Sequence, residues 1–358
     1  MINIKTYLSN AHADASLFLD NMVERLWSDL NPVLPNSQYG KFSLMYRAEQ
    51  LVTLVSSPAH KKEVGTVTAA RHLQYANYLA DPVNMKRIIC AKPSELDAVI
   101  AAVDNYLQPG DLHYVKDGKT VATAFGKLLL SDVFRYDLYR QSAHCVARYQ
   151  ALGFGEAACP YCNANAIQIV ELDEGTDDSY EIMLCDIDHF YPKLLHPYLA
   201  LSFYNHIPSC RACNHTTKGA VPFTVTSHIH PFDRCFDTHY TFKLNHGVLQ
   251  TPHIEQVHLT ASSGTSDALV TDLKLEERYR KSLTLSRARD LVVILSDYSH
   301  LLYGGTQDDV ERGLLAIRLK DFGVRKKKEE IMAHPYAKFH RDIVKMFDVN
   351  QTLDYLES

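Results

Sequence analysis

Four cysteines in two Cys-x-x-Cys pairs are the residues whose types and spacing most strongly indicate chemistry. Cys159 and Cys162 form the first pair, and Cys210 and Cys213 form the second. Four thiolates from two such pairs can close a tetrahedral zinc site. Disulfides or buried free thiols are the alternative, but nothing else in the sequence indicates an oxidising compartment. Zinc is therefore the favoured interpretation, and the long separation of the pairs requires a folded unit between them.

Polar residues suited to a second metal ion lie between and after these pairs. Asp188-His189 and Asn205 separate the two pairs, and Asn214 follows the last cysteine directly. Carboxylate and amide oxygens are hard donors that suit Mg²⁺ or Mn²⁺. A neutral histidine can accept a proton from water near pH 7. An isolated Asp-His is commonly a turn and an isolated Asn-His commonly a helix cap, so the frame of four cysteines favours the catalytic interpretation.

The segments around these residues predict two strands and a helix. Residues 166–172 and 180–187 are apolar-rich and β-prone, and they flank turn formers at 173–179, which predicts a β-hairpin running into Asp188. A short helix is predicted at 214–218. A further helix at 194–204 is expected to pack under the hairpin and deliver Asn205. Two strands and a helix in this order can hold one metal ion.

These residues together resemble the HNH endonucleases, a family with the ββα-metal fold. The family pattern has a Cys-x-x-Cys pair, an Asp-His with a nearby Pro, a middle Asn, and a second Cys-x-x-Cys followed by His or Asn and then Lys. The residues matching it here are Cys159, Cys162, Asp188, His189, Pro192, Asn205, Cys210, Cys213, Asn214 and Lys218. The resemblance covers about residues 155–237 and implies a metal-dependent nuclease of nucleic acid, most naturally DNA.

The resemblance implies a role for each matched residue. His189 would be the general base, and Asn205 would hold the loop that orients it. Asp188 and Asn214 would bind catalytic Mg²⁺ or Mn²⁺. The family often has His where this chain has Asn214, and His215 follows one residue later, so the identity of that ligand is open.

A non-catalytic, zinc-stabilised module that binds nucleic acid or protein is the alternative from another functional class. Asp188-His189 discriminates between the two, because a binding module has no use for a general base beside a hard metal ligand. His228 and His230 could be further ligands, although such residues more often line a loop.

The chain is expected to be an α+β protein with a ββα-metal HNH core and structural zinc, flanked by mainly helical regions. Predicted boundaries are 1–154, 155–260 and 268–358, and a second hairpin is predicted from 240–244 and 248–250. In the N-terminal region, 120–130 and 132–152 are predicted helices, and in the C-terminal region 273–295, 310–319 and 329–346 are. With 46% hydrophobic and 22% charged residues, no apolar run of membrane length and no signal peptide, a cytoplasmic protein without membrane association is predicted.

The charge distribution suggests where nucleic acid would bind. The whole chain carries a net charge of −5, but the C-terminal segment 274–345 has 16 basic and 11 acidic residues. Basic residues near the motif and in this segment are candidate nucleic-acid contacts, although a solvated face explains any single lysine as well. These candidates are Arg211, Lys218, Lys326 and Lys327.

A looser resemblance concerns the biological setting. Residues 190–213 and a later His-Pro-Phe-Asp are similar to the HNH effectors of bacterial anti-phage systems, including Septu-type systems and some retrons. Such a nuclease works with an ABC-like ATPase, so the resemblance implies an ATPase partner.

Overall fold

The computed structural model describes residues 2–173, 179–245, 254–303, 308–348 and 355–357. Helices dominate these residues, and small antiparallel sheets are interspersed along the chain. This agrees with the predicted α+β class. Among the described residues, no helix is both long and apolar enough to span a bilayer.

The N-terminal part is mainly helical, as predicted. Several helices begin at side-chain caps, for example Asp14, Ser43 and Asp81, which accept hydrogen bonds from the first-turn amides. Its helices are α1 (Ile4–Leu8), α2 (Ala15–Leu30), α3 (Leu44–Val55), α4 (Pro58–Val64), α5 (Thr66–Ala80), α6 (Pro82–Cys90), α7 (Leu96–Asp104), α8 (Pro109–Leu112), α9 (Ala124–Leu128), α10 (Tyr136–Arg140) and α11 (Ala143–Tyr149).

Strands interrupt this part where the sequence predicted a helix. A hairpin joins β1 (His113–Lys116) and β2 (Lys119–Ala122), so the helix predicted at 120–130 was wrong at its start. Asp117 and Gly118 form the turn, and both have positive φ. An Asp-Gly pair is a preferred two-residue hairpin turn, and this local signal outweighs the helical spacing.

The predicted hairpin exists, but it does not carry the Asp-His dipeptide. β3 (Glu156–Ala158), β4 (Ala166–Asp173) and β5 (Ser179–Met183) form one antiparallel sheet. The chain then bends and starts β6 (Asp186–His189), which pairs with β7 (His206–Ser209) in a separate sheet. The sequence did not predict β7, because Pro208 lies within it and proline is normally excluded from central strands.

The loop between β6 and β7 contains two short 3₁₀ turns, Pro197–Leu199 and Phe203–Asn205, instead of the helix predicted at 194–204. Pro197 begins the first turn, because proline disfavours helical geometry in the residue before it. After β7, a π-helix spans Ala212–Lys218, where a short helix was predicted. The strand–strand–helix unit at this position is therefore β6, β7 and this π-helix.

The remaining elements are helices around one further hairpin of β8 (Tyr240–Leu244) and β9 (Val257–Ala261). The strand predicted at 248–250 lies outside the described residues. The helix predicted at 273–295 is interrupted at Lys281, whose backbone is extended, and the helix predicted at 329–346 is interrupted at Tyr336, whose φ is positive. The helices are α12 (Phe236–His239), α13 (Leu269–Asp272), α14 (Leu275–Tyr279), α15 (Ser282–Asp297), α16 (Ser299–Tyr303), α17 (Asp309–Phe322) and α18 (Ala337–Phe347), with a 3₁₀ segment Lys328–Ala333.

Both flanking parts bond directly to the central part. Ile4 N donates to Pro231 O at 2.7 Å, and Tyr279 Oη donates to Cys162 O at 2.7 Å. The buried Asn163 side chain bonds backbone groups of Ile331 and Lys338. The predicted domain boundaries remain predictions, but the bonds at Cys162 and Asn163 tie the first cysteine pair to the C-terminal part.

Candidate metal centre and cleft

The four predicted cysteines meet in one buried cluster. Their sulfur atoms all lie within 4.8 Å of one another. Cys159 Sγ lies 3.9 Å from Cys213 Sγ, and Cys162 Sγ lies 3.8 Å from Cys210 Sγ. Four thiolates about 2.3 Å from one zinc ion at tetrahedral corners would lie about 3.8 Å apart. The spacing excludes disulfides, whose sulfurs are about 2.05 Å apart, and the group can hold a metal ion such as zinc.

Hydrogen-bond donors around the cluster favour thiolates. Arg278 donates to Cys213 Sγ at 3.1 Å, and Asn165 donates to Cys210 Sγ at 3.2 Å. Within the cluster, hydrogen bonds from the neighbouring cysteines lower the pKa of Cys210, whereas burial raises the pKa of Cys159. Because metal binding requires deprotonated sulfur, these contacts suit a metal centre.

An open cleft of about 470 Å³ lies beside the cluster. It is formed by β6, the loop after it, the π-helix and part of α10. Of the predicted site residues, those that line it are Asp188, His189, Asn214 and Lys218. The fold brings these four residues to one cleft through β6 and β7 and not through the predicted hairpin.

Asp188 is buried at the floor of the cleft in a charged contact. Lys218 Nζ lies 2.7 Å from both of its carboxylate oxygens, and Tyr161 Oη donates to Oδ2 at 2.7 Å. The Lys218 ammonium also lies 4.8 Å from the centre of the Phe223 ring. Burial lowers the pKa of Lys218, and the Asp188 charge opposes that shift. Lys218, predicted as a nucleic-acid contact, is thus a buried partner of the proposed metal ligand.

His189 lies beside Asp188 on the strand and is held in a defined tautomer. Its Nε2 lies 3.2 Å from the carbonyl oxygen of Ala200. A carbonyl only accepts, so Nε2 carries the proton and Nδ1 keeps its lone pair. Burial, followed by the positive charges of neighbouring groups, holds the pKa of His189 well below its usual value. The ring is therefore neutral at pH 7 and has one nitrogen able to accept a proton.

Asn205 is fully buried and fastens the loop that follows His189. Its Oδ1 accepts from Tyr191 N at 2.7 Å, and its Nδ2 donates to the carbonyls of Tyr191 and Leu199 at 3.1 Å. Its own carbonyl accepts from Phe190 N at 2.9 Å. The side chain does not line the cleft, so it acts on His189 only through the loop.

Asn214 and His215 both reach the cleft from the π-helix. Asn214 is half-buried, whereas the His215 side chain is 61% exposed and its Nε2 lies 3.4 Å from Asp186 Oδ2. Gly219 N bonds to Asn214 O, five residues back, which is the π pattern. A π-turn is a frequent feature of functional sites because it redirects side chains. The identity of the ligand at this position stays open between the two residues.

The sequence reasoning missed Asp186, which lines the same cleft. It precedes Asp188 by two residues on β6, so both carboxylates project from one face of the strand. Among the described residues its buried Oδ2 makes no hydrogen bond, and the His215 Nε2 lies 3.4 Å from it. Asp186, Asp188 and Asn214 thus all present oxygen atoms in one cleft. The Asp-Ile-Asp-His spacing was the signal that could have identified it.

Residues from distant parts of the chain complete the walls. Tyr136 and Arg140 come from α10, and Lys193 comes from the loop after β6. Lys193 Nζ lies 4.4 Å from the centre of the Tyr136 ring, whose edge packs against His189. The cleft therefore has cationic walls above a carboxylate floor, which suits a phosphate bound to a cation.

The other predicted residues lie elsewhere. Lys326 pairs with Glu357 at 3.2 Å, and neither Lys326 nor Lys327 lines the cleft. Arg211 is exposed at the start of the π-helix and also does not line it. The remaining two candidates are the histidines at 228 and 230.

Neither of these histidines lines the cleft. His228 is bonded to Ser227 and Asp272 at 2.8 and 2.9 Å. His230 is fully buried with its pKa lowered to about 3 by burial. Both have structural surroundings that explain their presence.

No protein-family model, curated protein or solved structure matches this chain.

Proposed function

We propose that this chain is a metal-dependent endonuclease of the HNH type that hydrolyses phosphodiester bonds. The observation that supports this most is the convergence of Asp188, His189 and Asn214 on one cleft beside a four-cysteine cluster. A carboxylate, a neutral imidazole and an amide at one site are what hydrolysis with a bound divalent cation requires.

In this proposal His189 generates the nucleophile. Nδ1 accepts a proton from a water molecule at the cleft, while the Nε2–H bond to Ala200 O keeps the ring in place and stabilises the imidazolium that forms. Asp188 and Asn214, with Asp186 on the same face, would hold Mg²⁺ or Mn²⁺. That cation supplies charge for the phosphate and the leaving oxygen. Lys193 and Arg140 on the walls can pair with phosphate oxygens.

The cysteine cluster would have a structural role. The second pair lies next to the cleft, since Cys210 follows β7, the partner of β6, and Cys213 belongs to the π-helix. A zinc ion there would fix the π-helix against β7 and so set the position of Asn214. Four-cysteine zinc sites are usually closed and structural.

DNA is the favoured substrate, and an ATPase-like partner within an anti-phage system is the favoured setting. Only the resemblance of residues 190–213 to such effectors supports this part. The net charge of −5 is consistent with a nuclease that relies on a partner to bring nucleic acid to it.

A zinc-held binding module without catalysis is the second candidate. It is favoured by the ion pair of Asp188 with Lys218, which gives the carboxylate a partner without any metal ion. The second carboxylate in the same cleft, Asp186, and the His189 ring, whose Nδ1 can accept a proton, argue for the nuclease instead.

A cleavage assay with His189→Ala tests the proposal. Plasmid, linear duplex, single strands and tRNA are incubated with wild-type protein in Mg²⁺, Mn²⁺ or EDTA. We expect metal-dependent cleavage that falls about 10²–10⁴-fold in His189→Ala. The exposed His300→Ala serves as the matched control and should cleave normally. Full activity of His189→Ala in a clean preparation would refute the mechanism, and inactivity of wild type on all substrates would favour the binding module.

A further inference from the structure

A second groove of about 330 Å³ lies on the N-terminal helical part, and the proposed catalysis does not use it. α3, the preceding loop and α10 contribute residues to its walls. Its lining includes Phe42, Leu138, Arg47 and Arg135. Apolar and cationic side chains thus share one surface depression.

The apolar side chains are unusually exposed. The Phe42 residue is 82% exposed and Leu138 is 62% exposed. The backbone of Phe42 is fixed, because its carbonyl accepts a hydrogen bond from the Arg47 guanidinium. A phenyl ring on a fixed backbone, open to solvent beside a groove, is a surface on which a flat apolar ligand can stack.

The cationic side chains have no anionic partner among the described residues. Arg47 bonds the carbonyls of Val133 and Phe42, and neither Arg47 nor Arg135 forms an ion pair in the described part of the chain. Asp29 also lines the groove, but its carboxylate is bonded to Arg148 at 2.7 Å. Burial and the nearby Arg135 charge lower the pKa of Arg47 to about 10. The groove therefore has positive charge that an anion could neutralise.

The groove is connected to the catalytic cleft through α10. Tyr136 and Arg140, one turn apart, line the cleft, whereas Leu138 and Tyr139 line the groove. One helix thus separates the two sites. A helix with its side chains is about 10–12 Å thick, which corresponds to about three nucleotides at 3.4 Å per stacked step.

We propose that this groove binds a nucleobase and its phosphate, three or so nucleotides from the scissile bond, on a single strand that crosses α10. The base stacks on Phe42, and the phosphate pairs with Arg135 and Arg47. This inference rests on the proposed nuclease function and adds that the substrate is single-stranded at this position, because a base inside a duplex cannot stack on a side chain.

Binding by short oligonucleotides tests this. Fluorescence anisotropy is measured with Mg²⁺ and the His189→Ala protein, using single strands of 2, 4, 6, 8 and 12 nucleotides and a duplex. We expect the affinity to rise sharply as the strand is lengthened from 2 to 6 nucleotides. Phe42→Ala should weaken binding of the longer strands roughly 5- to 100-fold, the effect of losing one base stack. Phe42→Trp should restore it.

Two controls separate stacking from general effects. Arg135→Asn removes the charge and tolerates the left-handed backbone at this position (φ 49°), and it should lower affinity and the salt dependence of binding. Val67→Ala removes another exposed apolar side chain (72% exposed) and should change nothing.

The outcomes distinguish this proposal from the nuclease proposal. If Phe42→Ala binds as wild type does and the wild type cleaves, the groove proposal is overturned and the nuclease proposal is unaffected. If binding depends on strand length and requires Phe42 but the wild type never cleaves, the groove proposal is supported and the nuclease proposal is overturned. If a free mononucleotide binds the groove as tightly as the 12-nucleotide strand does, the proposal that a strand crosses α10 is overturned. The groove would then be an effector site.

Discussion

Replacing Lys218 with methionine removes the buried cation that neutralises Asp188. The two side chains are 2% and 5% exposed, and Lys218 Nζ lies 2.7 Å from both carboxylate oxygens. Methionine keeps an unbranched apolar stem but leaves the carboxylate with the hydrogen bond from Tyr161. Removing one partner of a buried pair costs about 3–5 kcal/mol. We expect about 3 kcal/mol, because the Tyr161 bond remains and the pair borders an open cleft.

The assay is urea unfolding at pH 7 without added Mg²⁺ or Mn²⁺, with two controls. The double variant Asp188→Asn/Lys218→Met carries no buried charge at this position, so it should regain most of the lost free energy of unfolding. Lys320→Met, on the exposed face of α17, should stay within about 0.5 kcal/mol of wild type. A Lys218→Met protein as stable as wild type would refute the buried pair.

Added Mg²⁺ extends this test to the proposed metal site. A divalent cation at Asp188 would supply the positive charge that Lys218→Met lacks. At 100 times its dissociation constant it would add about 2.7 kcal/mol. We expect a smaller gain in wild type, where Lys218 competes for the same oxygens. If Mg²⁺ stabilises the variant no more than wild type, Asp188 does not bind the cation.

Three further predictions concern the cysteines, the open ligand position and a buried histidine. Cys210→Ser should lose zinc by elemental analysis and become protease-sensitive, whereas Cys235→Ser, outside the cluster, should keep both metal and fold. Asn214→Ala should abolish cleavage, Asn214→His should keep some with a changed metal preference, and His215→Ala should be active. The opposite result for the two alanine variants would make His215 the ligand. Burial lowers the pKa of His340 to about 4. As the pH falls below about 6.5, this histidine therefore binds a proton in the unfolded chain before it does so in the folded chain. The free energy of unfolding consequently decreases between about pH 6.5 and pH 4. Unfolding at pH 7 and pH 5 should show His340→Leu losing about 2 kcal/mol less than wild type, and equal losses would contradict the buried neutral ring.

The cysteine cluster was predictable because its signal is local. Each Cys-x-x-Cys pair lies within one turn, so the spacing of Cys159 and Cys162 already places two sulfurs on one side of the chain. Only the meeting of the two pairs depended on the tertiary fold, and the four sulfur atoms do meet in one cluster. The β4–β5 hairpin and most N-terminal helices were predictable for the same reason, since their spacing and turn residues act within a few positions.

Strand pairing was not predictable, because it joins residues far apart in sequence. Asp188 pairs with Ile207 across a loop of irregular structure, and Pro208 makes that second strand look like a loop. A local sequence pattern does not indicate which distant segment a strand will pair with. The Asp-His dipeptide was therefore assigned to the wrong hairpin.

The sequence by itself determined the types and order of the candidate ligands and the proposed base: four cysteines, Asp188, His189 and Asn214. The tertiary structure decided what surrounds them. It placed Lys218 on Asp188, fixed the tautomer of His189 through Ala200, and brought α10 to the wall of the cleft. The physical reason is burial: a charge or ring acquires its protonation state and partners from groups that folding packs around it, and those groups come from anywhere in the chain.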